Sequence, residues 1–100
     1  MEGDFMKIVT VCGNGIGSSL MLATKIEQIC REEGMNNVDV ESCDFNAASS
    51  KNCDLYVTVK ELAGKFEGKN LAVVRSYVNK KKIKEDALEK IKEIYNNLNK

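Results

Sequence analysis

Residues 7–22 read KIVTVCGNGIGSSLML. Lys7 to Val11 is a short β-branched run that stops abruptly at Cys12, because CGNGIGSS is too rich in glycine to continue a strand or a helix. From Ser18 the period changes: Leu22, Ile26, Ile29 and Cys30 fall on one stripe, and Lys25, Gln28, Glu32 and Glu33 fall away from it. Ser18 or Ser19 is the natural N-cap for that helix, and Gly34 supplies its stop. The unit is therefore strand, glycine loop, helix.

Outward from it, Val38 to Cys43, Leu55 to Val59 and Leu71 to Val74 read as three further strands of four to six residues. Glu61 to Phe66 has room only for a short helix before Gly68. The last segment sets Ile83, Ala87, Leu88, Ile91, Ile94, Tyr95 and Leu98 at helical spacing, with lysines and glutamates on the other face. Strands alternating with helices call for a parallel sheet covered on both sides. The expected fold is a single-domain, three-layer α/β arrangement, flavodoxin- or Rossmann-like, with four parallel strands in the order 2-1-3-4. In that order the loop after the first strand lies at the topological switch point, where open parallel sheets bind their ligands.

Cys12 to Ser19 should therefore carry the chemistry. Gly13, Gly15 and Gly17 let successive amide N–H groups turn into one concavity. The start of the following helix adds partial positive charge and unpaired donors, with Asn14, Ser18 and Ser19 contributing side-chain donors around Ile16. Such a cradle suits a phosphate. The same donors stabilise a thiolate, lowering the Cys12 pKa from about 8.5 towards neutrality. The plainer reading is a small buried cysteine ending a strand before a tight turn, but its position ahead of a glycine-serine loop that opens a helix favours a nucleophile.

Neighbouring motifs do not fit. GxxxxGK[ST] needs a lysine where Ser18 stands, and dinucleotide binding needs GxGxxG, whereas glycines at 13, 15 and 17 give GxGxG. The cysteine-phosphatase pattern CxxxxxR reaches Ser18, not arginine. Without that guanidinium the loop lacks charge worth several kcal/mol to a transferring phosphoryl group, so rapid hydrolysis is disfavoured while transfer to another acceptor is not.

Composition narrows the rest. One hundred residues make one domain, which buries roughly 60–65% of the unfolded chain's surface. There is no histidine, which removes a Ser-His-Asp triad, a Cys-His dyad, histidine-bound zinc and any phosphohistidine of the chain's own. Formal net charge is zero, with eight basic and eleven acidic residues in 1–79 and seven and four in 80–100, which gives no reason to expect nucleic acid. Cys12, Cys30, Cys43 and Cys53 stand 18, 13 and 10 positions apart, so no CxxC pair exists for zinc or redox work, and the last three read as structural. Apolar runs fall far short of the roughly 20 residues that cross a bilayer, and Met1 to Phe5 is no secretory leader, so a cytoplasmic protein is expected. Met6, directly before the first strand, makes residues 1–5 an extension and 6–100 the domain.

The motif at 7–22, with its cysteine, glycines and Ser-Ser pair opening a helix, resembles the enzyme IIB components of the bacterial sugar phosphotransferase system, in particular the ascorbate and galactitol branch. The likeness runs from Met6 through the final helix. It implies a cytosolic phosphocarrier and phosphohistidine–sugar phosphotransferase. Cys12 would take a phosphoryl group from phosphohistidine of enzyme IIA, with Gly13, Asn14, Gly15, Ile16, Gly17, Ser18 and Ser19 as the phosphate loop. The group would then pass to a sugar or sugar-like substrate entering through membrane component IIC. No metal or cofactor is implied, and a carrier that docks on two partners in turn works most simply as a monomer.

Asp44, Thr58 and Glu61, each beyond a strand end, are candidates for the rim of the crevice, with a helix cap or solvated loop as the plainer reading. Arg75, after the fourth strand, is a candidate for a partner's acidic surface or for the phosphate. The run Lys80 to Lys82 reads as a solvated helix face. Two other functions remain open: a low-molecular-weight phosphatase-like hydrolase, and a regulatory module in which phosphorylated Cys12 signals to a partner.

Overall fold

Alternation along four short strands decides which layer each side chain joins. In the computed structural model, which describes residues 6–12, 16–35, 37–48, 50–66 and 70–98, these are β1 (Met6–Cys12), β2 (Val38–Asp44), β3 (Leu55–Val59) and β4 (Leu71–Val74). They form one parallel sheet in the order β2-β1-β3-β4, as the sequence predicts.

One face carries Met6, Ile8, Leu55, Val57, Ala72 and Val74, all buried against two long helices, α1 (Ile16–Glu32) and α4 (Lys80–Leu98). Leu22, Ile26, Ile29 and Cys30 of α1 meet Ile83, Ala87, Ile91 and Ile94 of α4 over that face, which is the apolar stripe of each helix put to use. The opposite face carries Val9, Val11, Cys43 and Tyr56, covered by α2 (Phe45–Ala48), α3 (Lys60–Ala63) and a 3-10 turn, Gly64–Phe66. The Phe66 ring lies 4.8 Å from that of Tyr56 and meets Phe45 edge-on at 6.1 Å. The Tyr56 hydroxyl donates to the Ala48 carbonyl at 2.9 Å, so the phenol that fills this layer also pins α2.

This second layer is thin, and side chains on that face of β1 and β2 change character accordingly. Lys7, Asp39 and Glu41 replace apolar residues there: the Lys7 ammonium lies 2.8 Å from Asp39 and 2.7 Å from Glu41, and Lys51 donates to Glu41 as well.

Two helix ends are informative. Gly34, at φ 79°, ends α1 as expected: its N–H donates to Arg31 O at 3.1 Å and Met35 N–H to Cys30 O at 2.9 Å, a paired closure that needs a left-handed residue at that position. The start differs from expectation. α1 begins at Ile16, so Ser18 and Ser19 lie inside its first turn and are not its N-cap. Gly17 costs about 1 kcal/mol in a helix, too little to delay one that is anchored by a continuous apolar stripe. Gly13, Asn14, Gly15 and Gly68 lie outside the described residues, as does the extension 1–5.

Ion pairs hold α4 against the end of α1. Lys84 and Lys92 each reach Glu33 at 3.2 Å, and Lys80 reaches Glu32, while Lys81 and Lys82 face solvent.

Candidate functional site

Because every strand of the sheet is parallel, the last residues of all four, Cys12, Asp44, Val59 and Val74, end along one edge. Cys12 closes β1, which lies between β2 and β3, and its backbone pairs in register with Asp44. Only three residues separate it from Ile16, where α1 starts. The first N–H groups of a helix have no partner within it, so the amides of Ile16, Gly17 and Ser18 are donors at the positive end of a 17-residue helix, close after the cysteine. That geometry suits an oxyanion with several equatorial oxygens.

The four rim candidates part company. Asp44 is exposed, and its carboxylate accepts the Ala47 N–H at 2.8 Å, capping α2. Glu61 is exposed in the first turn of α3. Arg75, exposed at the end of β4, is engaged by α4: its backbone N–H and Nε both donate to Asp86 and its guanidinium pairs with Glu85 at 3.1 Å. Thr58 is wholly buried, and its hydroxyl donates to the Val11 carbonyl at 3.1 Å, so it supports the strand end from beneath.

Leu20 and Met21 are 56% and 48% exposed in the second turn of α1, beside this edge. The sequence signal for them is that both stand off the Leu22–Ile26–Ile29 stripe, where polar residues are otherwise the rule.

Two of the remaining thiols, Cys30 and Cys43, are poor nucleophiles where they sit. Burial pushes Cys30 up to about 11, with Glu27 adding to the effect, and burial also raises Cys43, against a smaller opposing pull from Lys51. Cys53 is partly buried beside Tyr56. Among the described residues no group of three or more Cys, Asp or Glu side chains is arranged to hold a metal ion.

The profile of the family described as "PTS system, Lactose/Cellobiose specific IIB subunit" matches residues 7–95, from the first strand to the last turns of α4. The chain belongs to this family. An ascorbate-specific PTS system EIIB component of Mycoplasma pneumoniae (strain ATCC 29342 / M129 / Subtype 1) is 27% identical over 80 residues, 79% of this chain and 84% of that relative. As a PTS IIB subunit the chain has a phosphocarrier role in sugar transport, a role that IIB subunits fill together with IIA and IIC components. Among the described residues of this IIB subunit no helix is long and apolar enough to cross a membrane.

Proposed function

We propose that this IIB subunit carries its phosphoryl group on Cys12. Of the observations, the one that bears most weight is the placement of Cys12 at the carboxyl end of a central strand, three residues before the amino end of α1, in a chain of this family. The thiolate attacks the phosphorus of a phosphohistidine on enzyme IIA. The S–P bond forms as the P–N bond breaks, and the leaving imidazole nitrogen keeps the electron pair. The chain has no histidine of its own, so the donor imidazole belongs to the partner. Amides and side-chain donors of residues 13–19 bind the equatorial oxygens, and the helix dipole balances their charge without a metal ion. A substrate hydroxyl delivered through IIC then attacks phosphocysteine. The O–P bond forms, its proton is lost to solvent or a IIC base, and the thiolate leaves.

Residues 6–100 form the working domain, a monomer in the cytoplasm that meets the membrane only through IIC. Similarity to an ascorbate-specific EIIB component favours ascorbate or a related polyol-like substrate such as galactitol.

Intact mass after incubation with phosphoenolpyruvate, the two general phosphotransferase proteins and a cognate IIA tests the reading. The expected result is a gain of about 80 Da, one phosphoryl group, that is absent in Cys12→Ser. Phosphorylation that persists in the variant rules Cys12 out as the carrier residue. Steady turnover of an aryl phosphate by the wild-type chain alone would point to the hydrolase instead.

A further inference from the structure

The hydrogen bond from Thr58 to Val11 lies one peptide unit from the proposed phosphate carrier. Val11 C=O and Cys12 N–H belong to the same rigid peptide plane, so whatever holds the carbonyl aims the amide and sets the direction in which the chain leaves β1. On the β2 side this unit is held by strand pairing, Val11 to Cys43 and Cys12 to Asp44. On the β3 side the pairing runs Ile8 to Leu55, Val9 to Tyr56 and Thr10 to Val57. Thr58 follows at the next position, and its side chain, fully buried, reaches the Val11 carbonyl at 3.1 Å.

The chemistry at that point is specific. Val11 is completely buried, so its carbonyl has no water to turn to if the hydroxyl is lost. A carbonyl oxygen without a donor keeps its full negative partial charge within one residue of a group that must itself become negative, first as thiolate and then as phosphocysteine. A donated proton removes part of that repulsion and fixes the plane from which the loop departs.

We propose that Thr58 is a positioning residue for Cys12. Its hydroxyl holds the Val11–Cys12 peptide and thereby lowers the pKa of the Cys12 thiol and sets the phosphate loop for transfer. This rests on the phosphocysteine reading above, but its first consequence, the acidity of the thiol, is measurable without any phosphoryl donor.

Thr58→Val keeps the shape and removes the donor, and Thr58→Ser keeps the donor and loses a methyl. Ile8→Val is the structural control, a methylene removed from a fully buried side chain in the core of the same sheet, four residues before Cys12. The rate of Cys12 alkylation by iodoacetamide, followed against pH by peptide mass spectrometry, gives the thiol pKa in each full-length protein, and phosphoryl uptake from IIA gives the transfer rate. Thr58→Val should raise the Cys12 pKa by about half a unit and slow uptake about tenfold. Thr58→Ser should restore both to within about twofold, and Ile8→Val should leave the pKa in place even where it lowers the melting temperature. Equal behaviour of Thr58→Val and Ile8→Val overturns the proposal, as does a Thr58→Val protein with unchanged pKa. Thr58→Ala replaces the valine variant if that one does not fold, and failure of both to fold would make the hydroxyl a requirement of the fold and likewise overturn it. A wild-type protein that takes no phosphoryl group on Cys12 defeats the carrier reading, whereas the alkylation profile still decides the role of Thr58.

Discussion

Arg75 Nε donates to both carboxylate oxygens of Asp86, at 3.2 and 3.0 Å, and the Arg75 backbone N–H donates to the same carboxylate at 2.9 Å. The end of β4 is thus tied to the second turn of α4 by one residue pair, and the carboxyl of Asp86 is held below its ordinary range chiefly by that guanidinium. An arginine committed in this way should serve the fold rather than the phosphate. Arg75→Met should lower stability only modestly, because the guanidinium is exposed to solvent screening, and leave phosphoryl uptake at Cys12 within about twofold of wild type. Urea unfolding and the intact-mass assay measure the two quantities. A tenfold loss of uptake in a well-folded Arg75→Met protein would place the guanidinium in the transfer step instead.

Glu41 gives the fold a defined weakness to acid. Hydrogen bonds from Lys51 and then Lys7 pull its carboxyl down from the model-compound value of 4.5 to about 2. A depressed carboxylate contributes stability that is fully present above about pH 4.5 and is lost as pH falls towards about 2. About a third of the side chain is exposed, so solvent screening limits the contribution to about 1 kcal/mol. Glu41→Gln should therefore be less stable than wild type near neutral pH and converge with it as the pH falls from about 4.5 to about 2. Chemical unfolding of both proteins across that range reads the gap directly, and a gap that stays constant would show that the carboxylate's charge is not its source.

How much of this architecture the chain declares depends on whether a residue acts through local periodicity or through distant packing. The β-branched run before Cys12, the i, i+3, i+4 spacing of Leu22, Ile26 and Ile29, and the long amphipathic stripe ending the chain are local, and strand order and both long helices follow from them. α2 was not legible because its four residues carry no period of their own; Asp44 as a cap and the Tyr56 hydroxyl on Ala48 stabilise it from outside. The start of α1 differs from the sequence expectation for the opposite reason, since two serines and a glycine look like a helix boundary while the packing of the stripe behind them extends the helix to Ile16. At the site, the position of Cys12 between the end of β1 and the start of α1 is legible from the sequence. The part played by Thr58 was not, because a threonine near a strand end has the same local signature whether it lines a crevice or supports a neighbouring strand.

The four cysteines should separate cleanly by reactivity, because their surroundings differ more than their sequence neighbourhoods do. With its thiol at about 11, Cys30 is ionised to only about one part in a thousand at pH 8, and its side chain is packed between α1 and the sheet as well. Cys43 is buried and raised in the same direction, and Cys53 is partly covered. A thiolate at the amino end of a helix gains from the unpaired amides there. Iodoacetamide at about pH 7 should therefore add one group rapidly to the folded protein, at Cys12, followed by slow addition at Cys53. Cys30 should be modified only once the chain is unfolded in urea, when all four thiols become accessible. Cys12→Ser should abolish the rapid phase and cap the count in urea at three. A rapid phase that survives this substitution would mean that another thiol is the activated one, and peptide mapping of the adduct would identify it.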